Sequence, residues 1–204
     1  MRRDIWLIAP FAAWMVLMAL LPATVGGYAV RTAVVAALLV AGWWKRGCWS
    51  SSLRSGEGAD SPFSIGGIAL GVMAGLAVFV IWIAPEQFDW AWYRKWCIIG
   101  EGGTQAVAEA SAAMVAVRLI GSAFVISVAE ELFFRKWLIG FAGFWWMVGL
   151  FAVEHDRWLV AAICGIVYGA LYMKRGLAAA IAAHATTNLV LGLWVLHTGQ
   201  WQFW

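Results

Sequence analysis

Charge is scarce in this chain. Asp, Glu, Lys and Arg make up 12% of its 204 residues, whereas 64% are hydrophobic and the mean hydropathy is +0.81. An ordinary globular domain carries about 25% charged residues, so the composition excludes a water-soluble domain and points to a membrane protein. Cysteine is scarce too. Cys48, Cys97 and Cys164 stand singly with no C-x-x-C pair, which excludes an obvious disulfide framework or metal knuckle. No H-E-x-x-H stretch occurs, so no local pair of zinc ligands is offered. The net charge is only +3, and the basic residues sit in short clusters at segment ends. That pattern orients membrane helices and does not suggest a nucleic-acid surface, so no nucleic-acid partner is expected. Internal repeats are lacking as well.

What is present is apolar sequence in long runs. A spanning helix needs about 20 mostly apolar residues. Expected spans run near Ile5–Leu21, Tyr28–Trp44, Ile65–Ala84, Ala112–Phe134, Gly143–Val153, Leu159–Met173 and Leu177–Leu196. The expected fold is all-α, a polytopic bundle of about seven transmembrane helices. Met1-Arg2-Arg3 before an apolar run imitates a signal peptide. The run is longer than a usual h-region and no A-x-A site follows, so a first membrane helix is expected there. Arg2/Arg3, Lys45/Arg46/Arg54, Arg135/Lys136 and Lys174/Arg175 fall at every second boundary. The positive-inside rule then predicts a cytoplasmic N-terminus, seven crossings and an outer C-terminus. Sixteen Trp, many near segment ends, fit interfacial aromatic belts.

Against this background the polar residues of the C-terminal third stand out. Glu130, Glu131 and Arg135 are followed by His155, and then by His184 and Asn188. A charge at a helix centre costs roughly 2.5–3.5 kcal/mol on insertion scales, so such groups persist where they face one another or a water-filled cavity. Glu131 and Arg135 are four apart on one helical face, with the acid N-terminal to the base, and are expected to pair. Glu130 points about 100° away and is the freer carboxylate, hence the better candidate base. From Gly143, His155 is 12 steps along, about 18 Å at 1.5 Å per residue. Counted inward from Arg175, His184 is nine steps deep, about 14 Å on the same rise. Both imidazoles thus fall near the middle of a core roughly 30 Å thick and are expected to meet. Asn188 shares a helical face with His184, and an amide beside an imidazole can donate to a developing oxyanion. Gly176 and Ala180 extend that stripe, and Gly165/Gly169 offer close helix approach. The first three helices carry no such cluster and read as scaffold.

The order of these groups resembles a known family. Glu130-Glu131-Leu-Phe-Phe-Arg135, then Phe151-Ala-Val-Glu-His155, then His184-Ala-Thr-Thr-Asn188 is similar to the E-E-x-x-x-R, F-x-x-x-H and H-x-x-x-N motifs of the CAAX-protease and bacteriocin-processing (Abi) intramembrane proteases. The stretch from Gly165 through Tyr168 to Leu177 resembles that family's connecting helix and turn. The likeness covers roughly residues 118–192. Lys136 stands where a small residue is often found, and Ser127 where a Pro is common. The run Glu154-His155-Asp156-Arg157-Trp158 resembles a bacterial subgroup linked to C-terminal protein sorting.

The resemblance implies a glutamate-type intramembrane endopeptidase acting on a membrane-associated protein or peptide. It implies that Glu130 and His155 activate water and that His184 and Asn188 form the oxyanion hole. Glu131 and Arg135 would hold the helix in register. Residues 1–110 are then membrane scaffold, with a cytoplasmic loop near 45–62 and an outer loop near 85–110, and residues 111–204 are the catalytic bundle. No cofactor is expected. Two alternatives remain: a zinc site built from Glu130, His155, His184 and water, and a non-enzymatic immunity or transport scaffold using the buried charges as a relay.

Overall fold

The computed structural model describes residues 4–22, 24–46, 64–99 and 112–203. Cys48, the 50–62 linker and the outer loop beyond residue 99 lie outside these. Among the described residues the chain is helical, with no strand. Helices α1 (Ile5–Leu20) and α2 (Val25–Arg46) pair with each other, followed by α3 (Ile65–Gln87) and the short α4 (Ala91–Cys97). A long helix, α5, covers residues 112–142. Then come α6 (Phe144–Val153), α7 (Trp158–Arg175), α8 (Leu177–Thr198) and a 3-10 turn, Trp201–Phe203. Each of the seven expected spans therefore lies on a helix.

Four stretches are long and apolar enough to cross a membrane: Gly26–Trp44, Ile65–Gln87, Trp158–Arg175 and Leu177–Thr198. Helices α1 and α6 are apolar but shorter, so length and composition support four of the seven expected crossings directly. The outer faces carry large exposed apolar side chains, among them Leu20, Ile65, Met73, Phe141 and Val153. A surface of that kind suits lipid, not water. The protein is an integral membrane protein.

Helix ends follow local chemistry. The Ser64 side chain accepts from the backbone N–H of Gly67 at 2.9 Å and starts α3, as an N-cap does. Gly143 and Gly176 have φ of 92° and 86°. Those values are open to glycine and strained for other residues, and they let α5 fold onto α6 and α7 onto α8 with single-residue breaks.

Helices α3 and α8 form the most extensive helix contact. Gly67, Gly71 and Gly75 recur every fourth residue along α3. A Cβ added at Gly71 would collide with the carbonyl oxygen of Ala179, and one at Gly75 with that of Ala183. Small residues at this spacing bring membrane helices to backbone contact. Gly165 and Gly169 serve a different neighbour, α6, where Phe144, Met147, Val148 and Phe151 fill the space beside them. Helix α2 also buries a charge: Arg31 lies 5.1 Å over the Trp14 ring and 5.5 Å over that of Tyr28.

Candidate active site

Helix α5 is wound unevenly where it carries the acidic pair. A π-helical turn, Gly121–Ile126, precedes an α turn, Ser127–Glu130, and a second π segment runs over Glu131–Leu138. Wide turns of this kind are rare and concentrate at functional sites. Here they fall on both sides of Glu130. Both glutamates and Arg135 are buried, Glu131 and Arg135 completely.

The two glutamates have unlike surroundings. Glu131 Oε1 lies 3.1 Å from Arg135 Nη1, the expected i,i+4 contact. The same oxygen accepts from His184 Nδ1 at 2.8 Å, a link between α5 and α8 that spacing alone does not reveal. Glu130 Oε2 lies 3.8 Å from His184 Nε2, too far for a hydrogen bond, and has no hydrogen-bond partner in the protein. Glu130 is the freer carboxylate, as its position on the helix predicts.

Phe151 is the hub of the site. Its ring lies 4.2 Å beneath the Arg135 guanidinium, with the Tyr168 and Phe134 rings at 5.4 and 5.8 Å. Cation–π contact of this sort holds a buried cation where aligned hydrogen bonds are lacking. The same Phe151 ring centroid is 4.6 Å from that of His155 and 6.0 Å from that of His184. The Phe151 carbonyl accepts from His155 Nδ1 at 2.8 Å. A carbonyl only accepts, so this bond puts the ring proton on Nδ1 and leaves Nε2 with its lone pair.

His184 is fixed from a second side. The Tyr168 ring stacks on it at 5.0 Å, and the Tyr168 hydroxyl donates to Thr187 Oγ1 at 2.7 Å. Thr187 in turn lies 3.0 Å from the carbonyls of both Gly75 and Ala183. Asn188 donates through Nδ2 to the Ser122 carbonyl at 3.0 Å, in the first π turn of α5. Its amide keeps a second N–H.

These groups surround one cavity of about 280 Å³, lined by Glu130, His155, His184 and Asn188 and walled by Trp14, Tyr28, Trp82 and Phe203 among others. The structure thus brings together all four residues proposed from sequence for the chemistry. Glu131 and Arg135 sit behind the wall. Tyr168 and Thr187 also line the cavity and are additions to the sequence reading. Trp82 of α3 lies edge-on to His155 at 5.8 Å, so the N-terminal helices supply part of the wall as well as scaffold. The zinc alternative requires three ligands to converge on one point. Among the described residues no group of three His, Cys, Asp or Glu side chains is placed to hold a metal ion.

The family comparison falls on the same helices. Residues 112–190 match the family model described as Rce1-like, type II CAAX prenyl endopeptidase Rce1-like. This segment resembles that family. It begins with α5 and ends two residues past Asn188, so it contains every residue of the cavity's polar cluster. The match supports a CAAX-type intramembrane protease with a membrane-embedded peptide substrate. No curated protein and no solved structure matches the chain.

Proposed function

We propose that this protein is an intramembrane endopeptidase that hydrolyses a peptide bond of a membrane-associated protein or peptide, using water activated by Glu130 and His155. The observation that carries this reading is the shared cavity. A carboxylate oxygen without a hydrogen-bond partner, two imidazoles and an amide line it inside an apolar bundle.

In this mechanism the Glu130 carboxylate takes a proton from a cavity water as its oxygen attacks the substrate carbonyl carbon. His155 Nε2 accepts a hydrogen bond from the same water, since Nδ1 is held by Phe151. The new oxyanion receives the second Asn188 N–H; His184 joins it as a donor only as the imidazolium, with Nδ1–H on Glu131 and Nε2–H on the oxyanion. Collapse of the tetrahedral intermediate breaks the C–N bond, and Glu130 returns the proton to the leaving nitrogen. Each role matches the donor and acceptor capacity of the group. No step passes through a metal.

The N-terminus is assigned to the cytoplasm on the charge bias at the segment ends, and the bilayer to a bacterial inner membrane on the resemblance of residues 154–158 to a bacterial subgroup. Co-expression with secreted and membrane proteins of the same organism, followed by mass spectrometry of new termini, tests the function. New termini that vanish with Glu130→Ala support a protease. Identical termini with and without the folded mutant overturn it.

A further inference from the structure

Part of the cavity lining is an apolar group of Trp82, Leu191, Val195 and Phe203, the last from a distant piece of chain. After α8 the backbone reverses at Gly199, with φ 70°, and the Trp201–Phe203 turn folds back over the bundle. Phe203 is buried against Ile83 of α3 and Val195 of α8 and lines the cavity beside Trp82, Leu191, Val195 and His155.

Two contacts hold this segment in place. Arg157, two residues after His155, lies 4.8 Å over the Phe203 ring. It is itself anchored through Nε to Glu86 Oε1 at 2.5 Å, with both side chains largely buried. On the exposed side, Gln87 Nε2 donates to Gln200 Oε1 at 2.5 Å. Phe203 is thus seated by a buried ion pair on one flank and an amide pair on the other.

Resting on the protease reading above, we infer that Trp82, Leu191, Val195 and Phe203 form an apolar subsite for one substrate side chain beside the scissile bond, with the Phe203 ring as its size-limiting floor. The ring occupies space that a bulkier side chain would need, and it touches the turn that carries His155. An apolar substrate side chain is the class these walls fit, because the Trp82 indole N–H is the one hydrogen-bonding group among these four side chains.

The test is a peptide library varied at one position and read by mass spectrometry after incubation with the detergent-solubilised full-length protein. Phe203→Ala should raise cleavage of sequences with Phe or Trp at that position, relative to Ala or Leu, by about 10-fold or more, the scale set by pocket size. Phe203→Trp should shift the ratio the other way. Thermal melts of both variants establish that they fold, and Phe203→Leu serves as a milder replacement if Phe203→Ala does not. Unchanged ratios in folded Phe203 variants, with cleavage still lost in Glu130→Ala, overturn the subsite and leave the chemistry standing. A shifted ratio with cleavage persisting in Glu130→Ala overturns the chemistry and leaves the subsite.

Discussion

Helix α8 presents two unlike faces, and the difference explains how a polar site is held in an apolar bundle. Towards α3 it offers Ala179 and Ala183, whose carbonyls meet Gly71 and Gly75 with no room for a Cβ. Towards α5 it offers His184 and Asn188, which bond Glu131 and the Ser122 carbonyl. The first face is fixed by backbone sterics and needs no side-chain conformation to be right. The second depends on ionisable groups from several helices arriving together. Thr187 touches both, through the Gly75 carbonyl and the Tyr168 hydroxyl. A rigid seam on one side leaves the other side free to carry charge.

The polar face should break most severely when one partner is removed. Glu131→Leu strands the buried Arg135 guanidinium and Arg135→Leu leaves Glu131 only its bond to His184, and breaking a buried pair from one side typically costs about 3–5 kcal/mol. Thermal melts in detergent should show both single variants far less stable than wild type, with the double variant recovering part of the loss. A double variant no better than the worse single one would show that the pair is not coupled.

His155→Ala should keep the fold and lower turnover by at least about 10²-fold, the scale of lost general-base assistance. Added zinc should not restore it. Turnover that tracks bound metal and disappears with a strong chelator would favour the zinc alternative.

The apolar face should tolerate less than its lack of charge suggests. Gly75→Ala places a methyl against the Ala183 carbonyl and the Thr186 side chain, and overpacking of this kind costs about 1–3 kcal/mol. The melting temperature should fall, and activity should fall with it. A variant as stable as wild type would show that the helices can separate freely, so that the seam does not set the position of α8.

The smallest effect is expected at the junction of the faces. Tyr168→Phe keeps the ring on His184 and removes one hydrogen bond, a loss of about 0.5–1.5 kcal/mol. Stability should drop slightly and turnover modestly. A collapse of activity in a fully stable protein would instead mean that the hydroxyl takes part in the chemistry.

Much of this arrangement is legible in the sequence because it depends on features along one helix. The apolar runs mark the described helices except the short α4. The spacing of Glu131 and Arg135 gives their contact, whereas His155 lies in the turn after α6, so the helical count of its depth does not apply. What is not legible depends on contact between helices. The Glu131–His184 bond, the place of Phe151 beneath Arg135, and Tyr168 stacked on His184 all require knowing which faces meet. The π turns of α5 shift those faces away from the 3.6-residue period, and nothing in the local sequence announces them. The Gly67, Gly71 and Gly75 repeat is visible, but its partner on α8 is not.

The central claim is that adjacent glutamates divide the work, Glu130 for chemistry and Glu131 for structure. It is tested most directly by measuring cleavage and melting temperature on Glu130→Ala and Glu131→Ala side by side. Glu130→Ala should melt close to wild type and release no product, while Glu131→Ala should melt well below it. Near wild-type cleavage by a folded Glu130→Ala protein would contradict the account and move the catalytic assignment to Glu131.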